Sequence, residues 1–237
     1  MIKNFDSFYF LHIPKTGGRL YLVNFLEPIY KDIEKSNINN IKDRINTSDH
    51  SQWRSEITDS TYVTTLFRDP CKQLVSLYVH GLTVSEFNTI KDTSSLTIDK
   101  ENFLSWIKIH EEEIKNYQSK NLMFSTIKAE ESFFTKFRDN SFITKENVLN
   151  RINKISLILK PETLSENNIK TIQNTIMSDL GIKQFQANNI KYQREVYRSM
   201  HSEFVYNSLT SKDKEYLLSL SNIDSEIYET KKIFFSL

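Results

Sequence analysis

The stretch from residue 8 to residue 26 constrains this chain more than any other. Phe8–Ile13 reads FYFLHI, an apolar and aromatic run that Pro14 stops; Lys15, Thr16, Gly17, Gly18 and Arg19 follow, and LYLVNFL resumes at Leu20. The pattern predicts a buried strand, a tight turn and a helix. The whole chain of 237 residues has only 4 Gly, so two in succession are informative. Glycines here let the backbone come close to a ligand with no Cβ in the way. A helix opening after such a turn presents unpaired amides and the positive end of its dipole. Lys15 and Arg19 add two cations, and Thr16 adds a hydroxyl donor. The turn therefore suits an anion, although an ordinary strand-to-helix turn with a solvated lysine reads the same way. It is not a Walker A loop, because the lysine precedes the glycines.

A second stretch has the same form. Tyr62–Phe67, YVTTLF, predicts a strand that ends in Arg68-Asp69-Pro70, and CKQLVSLYVHGL then predicts a helix. Asp69 suits the N-cap, and Pro70 suits the first helical position, where a missing N–H costs nothing. Arg68 thus stands at a strand end facing a helix mouth, with Ser76 about two turns further on. A simple Arg68–Asp69 pair is the alternative.

Taken together, HIPKTGG at His12–Gly18 and FRDPCKQLVSLYVH at Phe67–His80 resemble the sulfotransferase family. The resemblance is to the branch of carbohydrate sulfotransferases that includes the uronyl 2-O enzymes and their bacterial and viral relatives. It covers roughly the first eighty residues, with weaker echoes at Asn116–Leu122, an NxQxxxL stretch, and at Ile223–Tyr228. It implies a P-loop-like three-layer α/β domain, with a central parallel sheet flanked by helices. It also implies 3′-phosphoadenosine 5′-phosphosulfate as co-substrate. By motif position, Lys15, Thr16, Gly17 and Gly18 would hold the 5′-phosphosulfate, with Arg19 beside them, and Arg68 and Ser76 would hold the 3′-phosphate. A histidine ahead of the second motif acts as base in the uronyl branch, a role the resemblance carries to His50; a surface-loop histidine is the alternative. The chain departs from the family pattern at Arg19, where Thr or Ser is usual, and at Gln73, where a basic residue is usual.

Composition narrows the field. Hydrophobic residues make up 38% and aromatic residues 12%, enough for one globular α/β domain over residues 1–237. Lys and Arg total 31 against 30 acids, so the bulk field offers nucleic acid no attraction. A single cysteine, Cys71, precludes an intrachain disulfide and fits a reducing compartment. No apolar run approaches a membrane span and no secretory pattern opens the chain, so a cytoplasmic protein is expected. The scattered histidines form no metal constellation, and no metal is expected.

Elsewhere the sequence predicts a polar loop over Ser36–Ser51 with a short helix near Ile41–Ile45, and an irregular segment over Leu82–Asp99. A helix over Glu101–Tyr117 capped by Asp99 would carry Glu111–Glu113 on a solvated face. A helix is expected over Thr144–Asn153, then a buried strand SLIL at Ser156–Leu159. A further helix opened by Pro161 and Thr163 would run to Leu180 and stop at Gly181. Gln118 and Lys120 are candidates to face a ligand, as are Lys191, Arg194 and Arg198 in the late basic segment. Thr210 suits a cap, and the Asn222–Tyr228 stretch reads as packing. Strand–helix alternation favours βαβ units and a parallel sheet.

The expected activity is sulfuryl transfer to an acceptor hydroxyl, with a glycan or glycolipid as acceptor from the resemblance. Two alternatives are a nucleotide-binding module of the same fold without catalysis and a nucleotide kinase.

Overall fold

A computed structural model describes residues 5–21, 26–40, 53, 55–83, 97–123, 143–164, 166–182 and 196–230. His50, the expected Ile41–Ile45 helix, Lys191 and Arg194 lie outside the described residues, as do the side chains of Arg19 and Arg198.

Strands β1 (Ser7–Leu11), β2 (Asn39–Asn40), β3 (Thr61–Leu66) and β4 (Leu157–Leu159) form one parallel sheet in the order β2-β1-β3-β4. Leu11 pairs with Thr65, and Thr65 with Ile158, so β1, β3 and β4 end almost level. The edge strand β2 lies in the Asn-rich segment expected to be a loop; two residues with little apolar pattern gain a strand only by pairing with Ser7 and Phe8.

Strand side chains alternate between two buried faces. Phe8, Phe10, Tyr62, Leu66, Leu157 and Leu159 point to one face. It is covered by α1 (Gly18–Tyr21), α2 (Glu27–Lys35) and α8 (Glu166–Asp179) through Tyr21, Ile29, Ile33, Ile169, Ile172 and Ile176. Tyr9, Leu11, Val63, Phe67 and Ile158 point to the other. There Leu122 of α6 (Tyr117–Met123), Val148 and Ile152 of α7 (Lys145–Ile152), and Ile227 of α11 (Asn222–Glu229) pack on them. Helices thus cover both faces, which explains why the strands read as continuous apolar runs. A third cluster joins α3 (Pro70–Thr83) to α4 (Lys100–Ile109), α9 (Val196–Ser208) and α10 (Ser211–Leu220) beside the sheet.

Local signals explain several helix ends. Asp69 Oδ1 accepts the Lys72 amide at 2.8 Å, Asp99 Oδ1 that of Asn102 at 2.8 Å, and Thr144 Oγ1 that of Asn147 at 3.2 Å. Thr210 and Asp213 form a full capping box. Gly181, at φ 71°, ends α8; its amide donates to Ser178 and that of Ile182 to Met177, a Schellman pattern.

Two boundaries differ from expectation. Pro161–Thr163 is a separate 3-10 turn, and α8 begins after it. The helix expected over Glu101–Tyr117 breaks into α4, α5 (Glu111–Ile114) and α6. Asn116 adopts φ 48°, its amide donates to the Leu220 carbonyl at 3.0 Å, and its Oδ1 accepts the Ile223 amide at 2.9 Å. Bonds to a distant turn outcompete continued helix. Glu113 is consequently buried rather than on a solvated face, and the carbonyls of Glu112 and Glu113 accept the buried Lys120 ammonium.

Candidate anion site at the strand ends

The chain leaving β1 runs through α1 and α2 on one face of the sheet, whereas the connection from β3 to β4 places α6 and α7 on the other. Since β1 and β3 are neighbours, the chain leaves their carboxyl ends toward opposite faces, the position at which an open α/β sheet usually has its ligand crevice.

On the β1 side the turn is built from its own backbone. Lys15 has φ 61° and Gly17 has φ 91°. Glycine accepts that conformation freely, whereas lysine is strained in it by roughly 1–2 kcal/mol. A Cβ on Gly17 would lie 3.1 Å from Pro161 Cβ, and one on Gly18 would overlap the His12 imidazole. The space left by both glycines is therefore filled by protein, where the sequence suggested room for a ligand. His12 itself stacks on Phe10 at 5.6 Å. Thr16 is fully buried, and its hydroxyl donates to the Ile13 carbonyl at 2.8 Å, so that its side chain closes the turn. Gln73, where the family pattern has a base, is buried on α3, and its Nε2 donates to the Pro14 carbonyl at 2.8 Å. It fastens the turn to the helix that follows β3.

On the β3 side, Arg68 is half-buried at the crevice. Its Nη1 donates to the Lys15 carbonyl at 3.2 Å, and its Nε lies 3.8 Å from Glu162 Oε1. With the Gln73–Pro14 bond, this contact ties the two motifs together. Asp69 is engaged as the α3 cap. Ser76 is half-buried on α3, six residues past its start, roughly 9 Å along the axis.

The β4 end brings residues that sequence reasoning missed. Lys160 Nζ sits 3.9 Å from the centre of the Tyr228 ring, and the Tyr228 hydroxyl hydrogen-bonds Glu162. Burial pushes that hydroxyl above the ordinary tyrosine range, and the Glu162 charge adds to the rise. Tyr228 belongs to the stretch expected only to pack. The available signal was positional: Lys160 directly follows a buried strand, and residues after parallel strands meet at one edge. Beside this edge, Lys214 and Lys72 lie 4.4 Å and 5.4 Å from the Tyr206 ring centre. Cys71 is buried, its thiol pushed up to about 12 by burial and then by Asp69.

The balance at the crevice is cationic but not uniformly so. Side-chain exposure of 25% for Arg68 and 28% for Glu162 puts their pair in the class worth at most about 1 kcal/mol. A ligand phosphate making charge-assisted bonds to Arg68 can displace that carboxylate. Lys120 and Gln118 do not face the crevice as ligands. Lys120 is buried, which lowers its ammonium to about 8. Gln118 accepts the Arg68 amide through Oε1 and donates through Nε2 to the Arg68 carbonyl, each at 2.8 Å.

Among the described residues no group of three or more His, Cys, Asp or Glu could hold a metal ion, and no helix is long and apolar enough to cross a membrane. No family model matches the chain, and it has no match among the curated proteins or the solved structures.

Proposed function

We propose that this chain is a P-loop-like member of the sulfotransferase family, transferring a sulfuryl group from 3′-phosphoadenosine 5′-phosphosulfate to a hydroxyl of a glycan or glycolipid. The observation that carries the reading is the Arg68–Lys15 contact across the β1/β3 crevice. Two cation-bearing turns, 53 residues apart in sequence, meet at the strand ends, where an open α/β sheet usually binds its ligand.

The donor supplies a sulfuryl group on a nucleotide phosphate, a good leaving group that needs no general acid. Lys15 stabilises charge growing on the oxygen between sulfur and phosphorus, as in phosphoryl transfer. The amides around Gly17 and Gly18 and the Arg19 cation hold the 5′-phosphate. Arg68 binds the 3′-phosphate once Glu162 gives way, with Ser76 assigned the same phosphate from the motif. His50 is assigned the proton of the attacking hydroxyl.

One observation favours the inert nucleotide-binding module instead. Two of the groups assigned to the ligand, the Thr16 hydroxyl and the Arg68 guanidinium, already have partners within the chain.

Calorimetric titration with 3′-phosphoadenosine 5′-phosphate, against ATP with Mg²⁺, tests the donor. Binding of the first, lost in Lys15→Ala and Arg68→Ala, is expected; preference for ATP with magnesium would overturn the reading in favour of a kinase. Sulfation of a hydroxyl acceptor, abolished in His50→Ala, separates the enzyme from the inert module.

A further inference from the structure

The ladder between β3 and β4 stops where the Phe67 amide donates to the Leu159 carbonyl at 2.9 Å. The next residue is Arg68, whose backbone has left the sheet. Its amide and its carbonyl are both taken by the single carboxamide of Gln118, in two bonds of 2.8 Å. The carboxamide satisfies both backbone groups of Arg68 just beyond the strand end, where no neighbouring strand does so.

Gln118 is itself held. It is wholly buried on α6, and its own amide donates to Asp224 Oδ2 at 2.9 Å. The Ser119 amide donates to Asp224 Oδ1 at 2.8 Å, and the Ser119 hydroxyl donates to the same oxygen. A buried carboxylate on α11 therefore fixes the first turn of α6, and α6 fixes Arg68. The stretches at 116–122 and 222–228 thus form one brace, with Asn116 bonded to Asn222 and Ile223 at its base.

We propose that Gln118 is a positioning residue for Arg68, setting the direction from which the guanidinium meets a ligand phosphate; this rests on the reading of Arg68 as the ligand of the nucleotide 3′-phosphate. An arginine is a rigid planar fork, so its backbone anchor determines where the fork points. The arrangement is that of a functional side chain supported by buried hydrogen bonds behind it. Gln118 acts through Arg68 and touches no ligand.

Gln118→Met keeps the length of the side chain and removes both bonds. Two readouts are needed. The first is hydrogen exchange at the Arg68 amide in the ligand-free chain, expected to accelerate roughly tenfold or more as a bond is lost, while the Val63 and Thr64 amides hold their protection. The second is the affinity ratio between 3′-phosphoadenosine 5′-phosphate and adenosine 5′-phosphate. In the variant that ratio is expected to fall roughly tenfold, about the worth of one misdirected charge-assisted bond, with the affinity for adenosine 5′-phosphate nearly unchanged. A merely structural glutamine would weaken both nucleotides alike and overturn the proposal. So would unchanged exchange at Arg68. If the unmodified protein shows no preference for the 3′-phosphate, the nucleotide reading fails, and the Gln118–Arg68 linkage is judged on exchange alone. Should Gln118→Met not fold, Gln118→Asn keeps a neutral carboxamide that is one methylene too short to meet both backbone groups of Arg68, and a shift of the same ratio in the same direction is expected.

Discussion

Replacing Gly18 by alanine sets two opposed effects against each other. Gly18 opens α1 at negative φ, and in a helix alanine is favoured over glycine by up to about 1 kcal/mol. Propensity alone therefore predicts a more stable protein. The structure predicts the reverse, because the new Cβ would overlap Cδ2 and Nε2 of the His12 ring. That ring is not the loose end of a flexible chain; it stacks on Phe10, whose side chain packs in the core on one face of the sheet. Moving it belongs with overpacking, which costs about 1–3 kcal/mol, and an aromatic ring directly in the way argues for the upper end. The net is a loss of roughly 2 kcal/mol, or about 4–8 °C in Tm for a chain of this size. The assay is thermal unfolding of wild type, Gly18→Ala, His12→Ala and the double variant. With the ring gone, alanine at 18 should be neutral or stabilising relative to His12→Ala alone, so the cycle yields a coupling of about 2 kcal/mol. A Gly18→Ala protein melting at or above wild type would refute the packing of His12 against this glycine. Glycine at 18 would then be explained by ligand approach alone.

Lys15→Gly should be more stable than Lys15→Ala by about 1 kcal/mol, since only glycine adopts φ 61° without strain. On the proposed reading the two lose nucleotide affinity equally, and equal denaturant midpoints would argue against the left-handed turn. Burial pushes the Asp224 carboxyl up to about 6 from an ordinary 3.8, so the folded state binds this proton more tightly than the unfolded state. Its contribution is largest below about pH 4 and is lost as pH rises to about 6, on the order of 3 kcal/mol. His110, lowered by burial, works the other way over part of that range; the difference between wild type and Asp224→Asn in urea titrations at pH 4–7 removes it, and a flat difference would refute the assignment. The buried Cys71 thiol, pushed up to about 12, should resist alkylation at pH 8 in the folded protein and react on unfolding; rapid labelling of the native chain would contradict its burial.

Several features were legible in the sequence because their causes are local. The runs FYFLHI, YVTTLF and SLIL became parallel strands since an apolar run flanked by turns needs cover on both faces. Asp69, Asp99 and Thr210 cap their helices because a short oxygen-bearing side chain reaches an amide two or three residues on. Lys15 and Arg68 stood out because each follows a strand and precedes a helix.

What only the tertiary structure decided is what those residues touch. That Gln73 fastens Pro14, that Gln118 holds both backbone groups of Arg68, and that His12 rather than a ligand fills the space beside Gly18 all join groups that sequence places far apart or treats as independent. The break at Asn116 has the same origin, since local propensity favours helix there and loses to bonds from the α10–α11 turn. A buried polar group must find a partner or cost about 1–3 kcal/mol. Sequence shows that the group exists, and its partner is settled only when the whole chain packs.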